Sequence, residues 1–136
     1  MANFQFSVRV FYEDTDAGGV VYYANYLKFF ERARTEWLRC LGFEQQKLAQ
    51  EQSIFFVVRK VETEYFASAR LDDLLDVSVQ IEKLGRVAVE FIQEIHCNGV
   101  LLTRCRTKVA CVSGERFKPC ALPEPVRTAM QDALVI

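Results

Sequence analysis

Tyr12-Glu13-Asp14-Thr15-Asp16-Ala17-Gly18-Gly19-Val20-Val21-Tyr22-Tyr23-Ala24-Asn25-Tyr26 decides how this chain is read. Before and into it, Val8, Val10 and Tyr12 alternate with Arg9, Phe11 and Glu13, the period-two pattern of a strand predicted from about Ser7 to Glu13. After it, Tyr26, Phe30, Ala33, Trp37 and Leu41 recur at helical spacing. Leu27, Leu38 and Cys40 widen that stripe, and Glu31, Arg32, Glu36 and Arg39 lie opposite. Asn25 is placed to cap the helix and Gly42 to end it in a left-handed turn. The quoted stretch is thus a strand-to-helix turn that holds Asp14 and Asp16 close to the unpaired N–H groups of a helix start, which attract negative charge. An acid or base beside an oxyanion site is half of an active site.

A helix apolar over so wide an arc needs cover on more than one side, which one strongly curved sheet provides. A short second helix is expected within Phe43–Gln52, and the runs Ile54–Phe66, Leu74–Leu84, Val87–Cys97 and Val100–Val112 read as strands. Asn98-Gly99 between two alternating runs is a strong hairpin signal. Pro119, Pro123 and Pro125 punctuate a tail expected to end in a frayed helical turn. The order of strand, long helix and four strands joined mainly by hairpins is α+β, the helix packed on a five-stranded antiparallel sheet. One domain spanning 1–136 is expected. Its open sheet edge predicts a homo-oligomer, a dimer or a tetramer.

Composition removes several function classes. Seventeen basic and eighteen acidic residues leave a net charge of -1, so no global field calls for nucleic acid or an anionic membrane. No apolar run approaches the ~20 residues of a membrane span, and the N-terminus lacks a basic lead, so a cytoplasmic protein without a transmembrane segment is expected. Cys40, Cys97, Cys105, Cys111 and Cys120 form no C-x-x-C pair and read as reduced packing residues. His96, the only histidine, sits in an alternating run far from any activated nucleophile and reads as an ordinary strand histidine. No metal and no cofactor are expected, and the chemistry falls to carboxylates, hydroxyls, backbone dipoles, Arg and Lys. Glu31, Arg32, Arg34 and Glu36 read as a solvated helix face.

The quoted turn, the helix carrying Tyr26, Phe30, Glu31, Arg32, Ala33 and Arg34, the run Phe56-Val57-Val58-Arg59-Lys60 and Ala69-Arg70-Leu71-Asp72-Asp73 together resemble the hotdog-fold 4-hydroxybenzoyl-CoA thioesterase family. Within it they are similar to the Tol-Pal-associated acyl-CoA thioesterases of the YbgC type, over about Ser7 to Pro123. The resemblance implies a long helix wrapped by the curved sheet, an acyl-CoA substrate, and Asp16 as the catalytic carboxylate, either attacking the thioester carbonyl or serving as base for water. It implies that the backbone N–H of Tyr23 points at that carbonyl. Most relatives of the YbgC type carry His at this position, so a main-chain donor is what survives the change. Gly18, Gly19, Val20, Tyr22 and Tyr26 are implied to line the substrate, and Asp14 is expected to be structural.

Coenzyme A carries three phosphate groups, for which Arg59, Lys60, Arg86, Arg116 and Lys118 are candidate partners near strand ends or turns. By similarity, Arg86 and Lys118 stand near the nucleotide. The competing reading is a non-catalytic acyl-thioester module binding an acyl carrier protein or partners in the cell envelope. A hotdog dehydratase is disfavoured, because it would need a His near the strand-helix junction.

Overall fold

Strand β1, Phe4–Arg9, opens the computed structural model, whose described residues are 4 to 134. It pairs antiparallel with β3, Leu74–Leu84, from Phe4 opposite Val79 to Arg9 opposite Leu74. The strand therefore begins earlier and ends earlier than the alternation predicts. Tyr12–Asp14 is a 3-10 turn, and Tyr12 is 82% exposed. Alternation persists past Arg9 only as a coincidence of composition, because the chain has already left the sheet.

Helix α1, Tyr26–Cys40, buries Tyr26, Phe29, Phe30, Ala33, Trp37 and Leu38. Leu27 and Cys40, expected to widen the stripe, are exposed, whereas Phe29 is buried in their place. The buried arc is rotated toward Phe29, and each large side chain so buried stabilises the fold by roughly 1.5–3 kcal/mol. At the far end Gly42 takes φ +100°, its N–H donates to Arg39 O, and Phe43 N–H donates to Leu38 O. This is the paired bonding of a Schellman cap.

Helix α2, Gln45–Gln52, leads into β2, Ile54–Tyr65; then come β3, β4 (Ala88–Cys97), β5 (Val100–Ser113), the two-residue β6 (Lys118–Pro119) and α3 (Glu124–Leu134). The curled antiparallel sheet runs β1-β3-β4-β5-β2, with β6 added on β5, so among the described residues β2 pairs with β5 alone. Asn98 and Gly99 both have left-handed φ, 51° and 79°, as a two-residue type I′ hairpin requires. Leu75, Val77, Val79, Val89, Phe91 and Ile95 form part of the core together with α1, and Trp37 meets Phe91 edge-on at 5.5 Å.

The tail is an 11-residue helix rather than a frayed turn. Pro125 sits in its first turn, where a missing N–H costs nothing, and Val126 and Met130 bury one face. No helix among the described residues is long and apolar enough to cross a membrane.

Candidate active site

Asp14 and Asp16 lie two residues apart and are used differently. Asp14 is buried; its Oδ2 accepts the Phe11 N–H and its Oδ1 accepts Asn25 Nδ2–H, both at 2.8 Å. Its own N–H donates to Phe11 O, and its carbonyl accepts Tyr22 N–H, each at 3.0 Å. Asp14 thereby ties the exit of β1 to the entrance of α1. Asn25 makes no side-chain cap; its amide is spent on Asp14 instead.

Asp16 is exposed. Its Oδ1 accepts Gly18 N–H at 2.8 Å, its N–H donates to Val20 O, and its carbonyl accepts Gly19 N–H. Oδ2 has no donor among the described residues. A side chain at Gly18 would put its Cβ 3.2 Å from Asp16 Oδ1, crowding the carboxylate, and Gly19 holds φ +78°. These two glycines let the loop close beneath the carboxylate without covering it.

The 66–73 loop is stitched to this turn. Val21 N–H donates to Ala69 O, Ala69 N–H donates to the Tyr26 hydroxyl oxygen at 3.0 Å, and Val20 forms a bridge with Arg70. Burial raises the Tyr26 phenol above its ordinary range, against the lowering effect of the Ala69 bond, and the charges of Asp16 and Asp73 raise it further. Tyr26 is therefore a protonated core residue at neutral pH, not a base.

Tyr23–Asn25 is a 3-10 turn running directly into α1, so the first N–H groups of this helical run have no intrahelical acceptor. Tyr23 is 62% exposed, and its ring stacks near Tyr22 at 4.9 Å. Tyr65, from the end of β2, packs edge-on against Tyr23 and Tyr26 and donates its hydroxyl hydrogen to Tyr23 O. Sequence reasoning missed Tyr65, since only the fold brings residue 65 to residue 23. The structure thus brings together Asp16, Gly18, Gly19, Val20, Tyr22, Tyr23 and Tyr26.

The expected cations stand elsewhere. Arg86 is in the turn after β3, where its carbonyl accepts Leu122 N–H, and Lys118 is in β6 opposite Ser113. Both lie at the Leu84 end of the sheet, whereas Asp16 lies at the Leu74 end. The eleven residues of β3 separate those ends by about 35 Å. Arg59 occupies the bulge of β2 between Val58 and Lys60, and Lys60 pairs with Glu62 at 2.9 Å. Arg116 is exposed after β5.

Arg34 is not on a solvated face. Its Nη1 donates to Gln93 Oε1 at 2.8 Å, and the fully buried Gln93 donates in turn to Phe30 O and Ser78 O. Burial lowers the guanidinium's pKa, with Cys105 and Glu31 opposing. Arg34 borders a cavity of about 150 Å³ between α1 and β2, floored by Phe56, Val58 and Phe91. Space of this order holds a benzene-sized group. His96 Nε2 lies 4.0 Å from Glu94, and among the described residues no three His, Cys, Asp or Glu side chains gather as metal ligands. Cys40 is exposed, contrary to a packing role, while burial and the neighbouring Cys120 sulfur, 3.6 Å away, push the Cys111 thiol up to about 12.

Residues 10–130 match the model of the thioesterase-like superfamily. The acyl-CoA thioesterase YbgC of Haemophilus influenzae is 49% identical over 126 residues, 93% of this chain and 93% of that protein. The acyl-CoA thioester hydrolase YbgC of Escherichia coli O6:H1 is 48% identical over 124 residues, 90% of this chain and 92% of that protein. Among solved structures, a probable thioesterase from Bartonella henselae superposes with a TM-score of 0.86 at 38% identity, covering 90% of this chain and 100% of that one.

Proposed function

The chain belongs to the thioesterase-like superfamily, and from that premise we propose that it hydrolyses acyl-CoA thioesters to a free carboxylic acid and coenzyme A, with Asp16 as nucleophile or general base. The relatives named acyl-CoA thioesterase and acyl-CoA thioester hydrolase, at about half identity, support the substrate class. The observation that carries the assignment is the contrast at the turn: Asp14 has both oxygens occupied, and Asp16 Oδ2, near the start of a helix, accepts from no donor among the described residues.

As nucleophile, Asp16 attacks the carbonyl carbon, the C–S bond breaks, coenzyme A leaves as thiolate, and water hydrolyses the mixed anhydride. As base, it takes a proton from the water that attacks. Both routes put negative charge on the carbonyl oxygen, and the Tyr23 N–H is the donor assigned to it. One preorganised donor of this kind typically supplies ~3–4 kcal/mol of transition-state stabilisation. Gly18, Gly19, Val20 and Tyr22 are the residues proposed to border the thioester; Tyr26, expected among them, is buried beneath the turn and supports it instead.

Completing the site takes a second copy. Among the described residues no strand pairs with the outer edge of β2, and Val58 and Val61 on that strand are exposed. Antiparallel pairing of two β2 strands about a twofold axis sets the Ile54 end of one against the Tyr65 end of the other. Lys118 faces Ser113, and Ser113 faces Ile54, so this pairing carries Lys118 and Arg86 of one chain toward Asp16 of the other. Arg59 and Lys60 come to the middle of the seam. The same operation brings the cavity at Phe56 and Val58 toward the opposite chain's thioester, giving room for the acyl group.

The test is release of free thiol from a series of acyl-CoAs by the wild type and Asp16→Asn. Hydrolysis lost with the carboxylate supports the assignment; tight acyl-CoA binding without turnover in the wild type makes the chain an acyl-thioester or carrier-protein binding module instead.

A further inference from the structure

Tyr65 closes the free edge strand, yet its hydroxyl reaches into the helix start, donating to Tyr23 O at 3.0 Å. Its ring stands edge-on to Tyr23 and to buried Tyr26, with centroids 6.4 and 5.5 Å away. We propose that Tyr65 is a positioning residue for thioester hydrolysis, holding the first helical turn so that its N–H groups stay aimed at the carbonyl oxygen as that oxygen becomes an anion. This rests on the acyl-thioesterase reading above.

Helix starts fray, because their first donors lack intrahelical partners. Here the first turn is also a separate 3-10 segment: its Asn25 end is buried and tied to Asp14, whereas at its Tyr23 end the side chain is exposed and meets Tyr22 and Tyr65. Two hydrogen bonds bracket the donor. Tyr22 N–H is tied to Asp14 O on one side, and the Tyr23–Ala24 peptide is tied at its oxygen to Tyr65 on the other. The peptide that carries Tyr23 N–H is itself held at its oxygen, which accepts Asn25 N–H at 2.8 Å, and with both neighbouring peptides held as well its rotation is restricted further. A donor on the Tyr23 carbonyl also polarises that peptide and strengthens Ala24 N–H as a second donor.

Partial burial raises the Tyr65 phenol above its ordinary range, with Cys105, Tyr23 and Tyr26 adding to the shift against Thr63. The hydroxyl therefore keeps its proton throughout the neutral range. Removing an oxyanion donor outright costs about 100- to 1,000-fold in kcat; loosening one costs less, and roughly 10-fold is expected here.

Tyr65→Phe removes only the O–H and keeps both ring contacts. The expected result is a kcat lower by about 10-fold with KM for acyl-CoA within about twofold and an unchanged melting temperature, a split that marks a transition-state interaction. The second readout is vibrational. In an Asp16→Asn background, the carbonyl stretch of bound acyl-CoA labelled with carbon-13 at the thioester should sit below its free value, and adding Tyr65→Phe should move it back toward that value. An unchanged kcat and stretch, or a KM effect alone, overturns the proposal while leaving wild-type hydrolysis intact. Absence of acyl-CoA hydrolysis by the wild type overturns both readings together.

Discussion

At the Leu74 end of the sheet nearly every polar group of the turn has an internal partner: Asp14 has two donors, Ala69 is bonded through both N–H and C=O, and Tyr23 O holds Tyr65. At the Leu84 end Arg86 and Lys118 are exposed, and among the described residues neither has a carboxylate within ion-pairing distance. One end is a braced turn, the proposed reaction centre, and the other is a set of exposed cations. The difference teaches why the proposed site is a shared one: the two ends lie about 35 Å apart along β3 of one protomer, and the proposed twofold axis, perpendicular to two antiparallel β2 strands, is what would bring the end of one chain to the opposite end of the other.

The largest effect should come from the centre itself. Asp16→Asn should lower kcat at least ~100-fold at unchanged melting temperature, since it removes the free carboxylate and keeps its shape. Comparable loss from a folded Asp14→Asn would reverse the roles of the two aspartates.

Next in size is the cationic end. Lys118→Glu or Arg86→Glu should raise KM for full-length acyl-CoA by roughly 10-fold while leaving the acyl-pantetheine thioester nearly unaffected, because only coenzyme A carries the nucleotide phosphates. Equal effects on both substrates would detach these residues from the nucleotide.

Asp14→Asn tests the other side of the contrast. It weakens two hydrogen bonds to a buried anion and should cost about 1–3 kcal/mol of stability, read as a lower urea midpoint at similar slope. A stable variant with normal activity would show that the bracing of the turn is redundant.

Tyr23→His should be the mildest change, within a few-fold of wild-type kcat, because every non-proline residue supplies the main-chain N–H. A loss rivalling Asp16→Asn would mean that the phenol itself takes part in the reaction.

Most of this architecture was legible from local pattern. The Leu74–Leu84 strand, the Asn98-Gly99 hairpin and the Gly42 cap each follow from spacing or backbone preference that needs no tertiary context. What was not legible depends on contacts between distant segments. Arg34 looks like a surface residue until Gln93, fifty-nine positions on, meets it from the sheet. Asn25 has the chemistry of a cap but is claimed by Asp14, and Tyr65 joins Tyr23 across forty-two positions. The tail helix was hidden because prolines read as breaks, although one lies in a first turn where it is tolerated. In the site, Asp16 and the glycines were visible as a motif, whereas the distance between them and Arg86 exists only in the fold.

Subunit exchange between an Asp16→Asn chain and an Arg86→Glu/Lys118→Glu chain tests the split site most directly. Neither parent has a complete site. A mixed dimer has one intact pairing, Asp16 from one chain and the cations from the other, so statistical mixing should restore about a quarter of wild-type activity with wild-type KM. If the mixture shows only the weak, high-KM activity of the charge-reversed parent, each protomer works alone and the shared site is wrong.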